Sequence, residues 1–346
     1  MNKLKAFLTV SASILLLLTT NCMAPLYIEP PPVTKGTTLS RGSLTEMLAW
    51  LETNADSRKT YILEVNANEN IAPHTFEYKG ATDIITIVLR GVGENRTLRL
   101  ASHGTMFTVK PNVQLILDSN ITIMGHSQNT GPMVNVDGGK IWMRSGSSII
   151  GNDRGSGNGG GVYVGSGAFV MTGGVISGNT AENGGGVYVY NTYRTNARIA
   201  LLGGIISGNT ASEGGGVYLK NASLMPFYEI ISTSVTDKTS LAHSTATITG
   251  NIARKRGGGL YVADGHEVIF LNGYGGLIIT GYDSDPDNGN VVKDEGGNII
   301  SKMGHAVFWA RVYSEKNLRY IASYLDKTDG KRKSSNKEQS DAQTEE

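Results

Sequence analysis

The sequence predicts an all-β solenoid, a parallel β-helix with a short N-terminal capping helix, and three observations carry that prediction. Glycine supplies 45 of the 346 residues against 9 prolines, with no Gly-X-Y period, so these glycines belong to turns and not to collagen. A glycine closes a strand-like run at Gly125, Gly151, Gly178, Gly208, Gly250 and Gly281, two residues after Ile123, Ile149, Ile176, Ile206, Ile248 and Ile279. It is followed by His126, Asn152, Asn179, Asn209, Asn251 and Tyr282. A second word recurs as Gly161-Val162-Tyr163-Val164, Gly186-Val187-Tyr188-Val189, Gly216-Val217-Tyr218-Leu219 and Gly259-Leu260-Tyr261-Val262. Looser copies lie at Met106 to Val109, Met133 to Val136 and Ala306 to Trp309.

Spacing selects the architecture. The plain step is 25 or 26 residues, as from Val162 to Val187 and from Gly125 to Gly151, which is too short for a propeller blade of about 40 to 45 residues. No helical period runs through the repeats, so helical solenoids fail as well. Successive coils of a parallel β-helix stack about 4.8 Å apart, which brings equivalent residues directly above one another. The Ile column is then interior, the Asn column a ladder of side-chain amides, and the Gly column a bend at positive φ.

The elements follow in chain order. Residues 1–21 have the basic start (Lys3, Lys5) and short apolar run (Ala6 to Leu18) of a signal peptide. They end at Cys22, the only cysteine, which excludes an internal disulfide and a cysteine-based zinc site. Residues 22–42, with Pro25, Pro30, Pro31 and Pro32, read as an extended tether outside the core. Ser43-Leu44-Thr45-Glu46 is a capping box, and Leu44, Met47, Leu48 and Leu51 at helical spacing predict a helix over 43–54 that covers the first coil. The β-helix domain with this cap spans 43–312, its coils beginning near residue 60, and 313–346 form a C-terminal extension and polar tail.

The words Ile176-Ser177-Gly178-Asn179-Thr180-Ala181 and Ile206-Ser207-Gly208-Asn209-Thr210-Ala211, each leading to Gly-Gly-Gly-Val-Tyr, resemble the right-handed parallel β-helix (pectin-lyase-like) repeats of spirochaetal surface lipoproteins. They are also similar to the polymorphic outer-membrane-protein repeats of chlamydial autotransporters. The likeness covers roughly residues 100 to 310. It departs from the chlamydial pattern in having Gly-Gly-Gly-Val-Tyr where Gly-Gly-Ala-Ile is usual. The resemblance implies the right hand of the coil, diacylation of Cys22 after removal of 1–21, and a place at the outer membrane or cell surface, the periplasmic face being the alternative. The signal also departs from the usual lipobox: Leu18 lies four residues before Cys22, and Asn21 directly precedes it.

For function, 31 basic against 30 acidic residues leave no electrostatic footprint for nucleic acid. An enzyme of the pectin-lyase-like fold needs carboxylates on neighbouring coils, and the repeated positions hold Gly, Ser, Thr, Val and Asn instead. Asp118 over Arg144 reads as a surface ion pair of small value. Asp283, Asp285 and Asp287 alternate as in a calcium loop, but Pro286, the late Gly289 and Asp294 in twelfth place favour an exposed turn. The six histidines are scattered singly. No cofactor or metal is expected.

Period-2 alternation points Tyr163, Tyr188, Tyr218 and Tyr261 away from the core along one face, with Phe308 aligned beyond them. Such a stripe suits a ligand or plain cross-strand packing. Longer steps place bulges near 190–198, 220–240 and 282–301, which in solenoids commonly build a binding face. The expectation is a non-catalytic adhesin, binding or structural module on a lipid anchor. A glycan or an extracellular-matrix protein is its expected ligand class at those tyrosines; the alternative is a polysaccharide lyase or hydrolase. The sequence leaves the oligomeric state open.

Overall fold

The computed structural model describes residues 33–192, 195–222, 245–263, 277–281, 286–300 and 307–309. Cys22, residues 1–32 and the extension 313–346 lie outside them. The described residues form a parallel β-solenoid of about six turns with a single helix among them, as the 25-residue step predicts. Among the described residues, no helix is long and apolar enough to cross a membrane.

Each full turn lays strands on three faces. Face one carries the segment pairs of Thr60–Val65, Ile85–Gly91 and Val113–Leu117 and continues upward through Lys140, Ala168 and Arg198. Its inward column is Tyr61, Ile87, Leu115, Ile141, Phe169 and Ile199, in register from turn to turn. Face two holds the Ile column: Ile123, Ile149, Ile176, Ile206, Ile248 and Ile279 pair in that order and are all buried. Face three holds Phe107, Val134, Val162, Val187, Val217 and Leu260, one above another. The strands Thr180–Asn183, Thr210–Glu213, Ile252–Arg256 and Val291–Val292 make a separate four-stranded sheet between faces two and three.

The helix, Leu44–Asn54, begins at Ser43 with the predicted capping box. The Glu46 amide donates to Ser43 Oγ at 3.2 Å, and the Ser43 amide donates to Glu46 Oε2 at 2.8 Å. Both bonds satisfy amides that the first helical turn leaves open. Leu44, Met47, Leu48 and Leu51 are buried in the same core as the coils, so the cap shields the apolar end.

Two expectations need correcting. The segment 22–42 is not wholly a tether: Thr37–Leu39 forms a strand paired in parallel with Tyr61, Ile62 and Leu63, because Leu39 has an apolar core to meet there. The Gly column does not share one conformation. Gly151, Gly178, Gly208 and Gly250 lie at φ 62 to 68°, but Gly125 does not; there a Cβ would overlap the backbone and side chain of Asn152 in the next coil.

Candidate functional site

The outward row of face three runs Thr75, Thr108, Asn135, Tyr163, Tyr188, Tyr218, Tyr261, and the Phe308 backbone pairs with Tyr261 beyond them. From Tyr163 on, the rings form a ladder. Centroids are 5.4, 5.0 and 4.8 Å apart, with planes opening from 14° to 23° to 31°. This apolar cluster is separate from the solenoid core and includes Ala263, with Tyr163 and Tyr190 packed at its margin. Cations sit over it: Arg154 lies 5.9 Å from the Tyr163 ring, Lys220 5.4 Å from Tyr190 and Arg256 5.4 Å from Tyr261.

The stripe faces away from the core, as period-2 alternation requires, but it is not an open surface. Tyr188, Tyr218 and Tyr261 are only 4%, 7% and 4% exposed, whereas Tyr163 and Tyr190 are half-buried. The triple-glycine words help to explain this. A Cβ at Gly214 or Gly257 would stand 3.0 and 2.9 Å from the Cβ of Tyr218 and Tyr261, and both residues hold φ near 65°. Glycine therefore lets the turn before each strand close against the ladder. Burial raises the Tyr163 phenol and pushes Tyr188 up to about 12, with Tyr163 and Tyr190 adding to the effect on Tyr188.

The Asn column is a side-chain amide ladder from Asn179 to Asn290, joined to Asn152 through the Asn152 backbone amide, which donates to Asn179 Oδ1 at 3.1 Å. The Nδ2 atoms of Asn179, Asn209 and Asn251 donate to Oδ1 of Asn209, Asn251 and Asn290 at 3.0, 2.9 and 2.8 Å. Each of those oxygens also accepts the preceding asparagine's backbone amide, at 3.0 Å in every case. Asn129 donates into the other end, to Asn152 Oδ1 at 2.8 Å. Sequence reasoning missed Asn129 and Asn290; His126 keeps the column position through its backbone amide, which donates to Asn152 Oδ1 at 3.4 Å, and Asn129 supplies the side-chain amide there. The signal for Asn290 lay downstream, in the Val291-Val292 pair that stacks on Ile252 and Ala253.

Asp118 is not half of a surface pair. It is 2% exposed and lies between two arginines of neighbouring coils, Arg90 at 2.6 Å and Arg144 at 3.3 Å. Asp118 and Arg144 are buried, and Arg90 beside them is half-buried.

His74 is driven below its ordinary pKa by burial and lies edge-on to Phe76. The His103 and His126 rings lie 4.5 Å apart, tilted by 48°. The other three histidines, along with Asp283 and Asp285, fall outside the described residues. Asp294 instead closes a turn, accepting from the Asn298 amide at 2.7 Å. Among the described residues, no group of three or more His, Cys, Asp or Glu is placed to hold a metal ion. Of the predicted bulges, 190–198 is described except for 193–194: Asn191 Oδ1 accepts from the Ala197 amide and the Thr195 hydroxyl, both at 3.3 Å. Most of 220–240 and part of 282–301 lie outside the described residues.

Comparison of the chain with protein-family models, curated proteins and solved structures finds no match.

Proposed function

We propose that this chain is a non-catalytic binding module of the cell surface, held to the membrane through acylated Cys22, that takes an elongated glycan or an extracellular-matrix protein along the tyrosine ladder. The observation that carries the reading is the row itself. Thr75, Thr108 and Asn135 occupy it in the early coils with the strand register unbroken, so the fold does not need aromatics there. Four stacked tyrosines with cations over both ends supply what the fold does not require: rigid apolar area, hydroxyls and positive charge in one line. The half-buried Tyr163 and Tyr190 with Arg154 and Lys220 are the contact surface, and Tyr188, Tyr218 and Tyr261 its stiff floor. Anchor, surface location and spirochaetal kinship rest on the sequence features of residues 1–22 and the repeat words alone.

The test is a glycan and matrix-protein screen on the mature protein, repeated with Tyr163→Thr and Tyr190→Thr. Threonine already stands at position 108 of this row, so the fold should survive. Binding should fall at least tenfold, and parental binding by the folded variant would refute the site. Cys22→Ala, in a detergent partition, should move the protein into the aqueous phase; unchanged partitioning would refute the anchor. The lyase alternative needs water-facing carboxylates on neighbouring coils, and Asp118, set between arginines, is withdrawn from water.

A further inference from the structure

His103 and His126 stand far apart in sequence, but the coil brings them together. Leu98 pairs in register with Ile123 on the neighbouring turn, and each histidine lies in the loop after its strand, His103 after Arg96–Leu100 and His126 after Ile121–Met124. Their rings lie 4.5 Å apart, tilted by 48°. That tilt is neither the parallel offset nor the edge-on arrangement that aromatic pairs prefer. Ring packing therefore does not account for the pair. His103 is exposed and His126 half-buried, so the pair is open to solvent.

Both loops are held from behind. Asn129, only 3% exposed, clamps the residue after His103: its Nδ2 donates to Gly104 O at 2.8 Å, and its Oδ1 accepts the Gly104 amide at 2.7 Å. The His126 carbonyl accepts from the Asp153 amide at 3.0 Å, and the His126 amide donates to Asn152 Oδ1 at 3.4 Å. The His126 ring is oriented as well. Its Nδ1 lies 2.5 Å from Ser127 O, and a carbonyl only accepts, so Nδ1 carries the proton and Nε2 of the neutral ring holds the lone pair. Ligating histidines are set up in this way, one ring nitrogen fixed by a carbonyl and the other turned to the metal.

The spacing of the rings selects the ion. A metal–nitrogen bond of about 2.0–2.1 Å puts the metal about 3.2 Å from the ring centre. Two rings at a right angle about one ion then have centres about 4.5 Å apart, and at a tetrahedral angle about 5.2 Å. The observed 4.5 Å fits the right angle. Right angles between neighbouring nitrogen ligands belong to tetragonal ions, of which Cu(II) stands highest in affinity.

We propose that His103 and His126 form a bis-imidazole site for a tetragonal divalent metal ion of the Cu(II) class. His126 ligates through Nε2, His103 supplies the neighbouring position, and water fills the rest. Among the described residues no third His, Cys, Asp or Glu joins the pair. The Met124 sulfur is engaged by Arg99 Nη1 at 2.6 Å and is not a ligand. With two protein ligands the site is open and exchangeable, unlike the closed four-ligand sites that hold a fold together. It rests on neither the lipid anchor nor the tyrosine ladder.

The test titrates untagged full-length protein carrying Cys22→Ala, which removes the thiol, with Cu(II) alone. One ion should bind with a tetragonal electron paramagnetic resonance spectrum split by two imidazole nitrogens. His103→Ala and His126→Ala should each weaken that binding at least tenfold, with the strand signal in circular dichroism retained. Replacing His243, His266 and His305 together by Ala should leave both the affinity and the nitrogen splitting unchanged. Parental affinity in either single variant, splitting by fewer than two nitrogens, or loss of the bound ion in the triple variant would overturn the site. Should a single variant fail to fold, the nitrogen count in the triple variant decides, because His103 and His126 are then the only solvent-open histidines left.

Discussion

Replacing Asn209 by Ala probes the amide ladder at its centre. Asn209 is fully buried, its Oδ1 accepts both the backbone amide and Nδ2 of Asn179, and its Nδ2 donates to Ile176 O and Asn251 Oδ1. Alanine removes the acceptor and leaves the Asn179 amide without a partner in a dry interior. The Asn179 side chain is hurt less, because its Nδ2 still reaches Ile149 O at 3.1 Å. A buried donor left unmade costs about 1–3 kcal/mol, and each ordinary hydrogen bond lost costs about 1 kcal/mol more. The expected loss is therefore about 2–4 kcal/mol, read as a lower urea midpoint at unchanged slope. Hydrogen exchange should localise it, with the Asn179 amide losing protection while amides near Leu63, several coils away, keep theirs, since solenoid repeats couple mainly to neighbours. A loss below about 0.5 kcal/mol, the level of ordinary surface substitutions, would show that the ladder is ornamental to stability and that the reasoning is wrong.

Asp118→Ala should destabilise by about 3–5 kcal/mol in the same assay, because it removes the buried carboxylate that pairs with both Arg144 and Arg90; a cost under about 1 kcal/mol, the range of an exposed pair, would contradict this. Tyr188 supplies a pH test: its phenol is raised to about 12 from an ordinary 10, so the neutral form's contribution to stability is complete below pH 10 and is lost as pH rises from 10 toward 12. Phenolate absorbance at 295 nm should lag in the parent and lose the component near pH 12 in Tyr188→Phe, while buried Tyr78, raised further still, stays late in both; titration of all tyrosines near 10 would contradict the buried ladder. Gly178→Asn should cost less than Gly178→Ala, since φ is 65° with open space around a Cβ and asparagine tolerates that region better; equal midpoints would contradict this.

What the sequence made legible was whatever repeats at a fixed step. The Ile, Val and Tyr columns pair as their spacing required, because parallel stacking converts an interval along the chain into contact in space. The capping box was legible for a different reason: Ser43 and Glu46 satisfy amides only three residues away. What escaped depended on a third dimension that spacing does not encode. Spacing puts Asp118 and Arg144 on neighbouring coils, but it does not encode their burial or the second arginine, Arg90. Tyr188, Tyr218 and Tyr261 were assigned the right side of the strand and too much water, because their exposure is set by the glycine turns and by neighbouring rings.

The two outward rows separate along the solenoid. On face one the apolar row begins at Ile62, near the cap, and Val33 enters it there. On face three the aromatics begin only at Tyr163, where Thr108 and Asn135 give way. An apolar row that is buried and an aromatic row that the coil does not need are different signals, although both are stripes of large side chains in register. Covering lowers exposure without any requirement for ring geometry, so the face-one row mixes Ile, Val, Trp and Ala. The ladder holds a single residue type through four coils at near-constant spacing, and in those coils selects glycine at the turns beside it. Uniform spacing of one rigid group suits recognition of something itself periodic at about 5 Å, such as a sugar chain or an extended peptide. Tyr163→Thr should accordingly change ligand binding with the strand signal in circular dichroism retained; loss of the strand signal would return the row to plain packing.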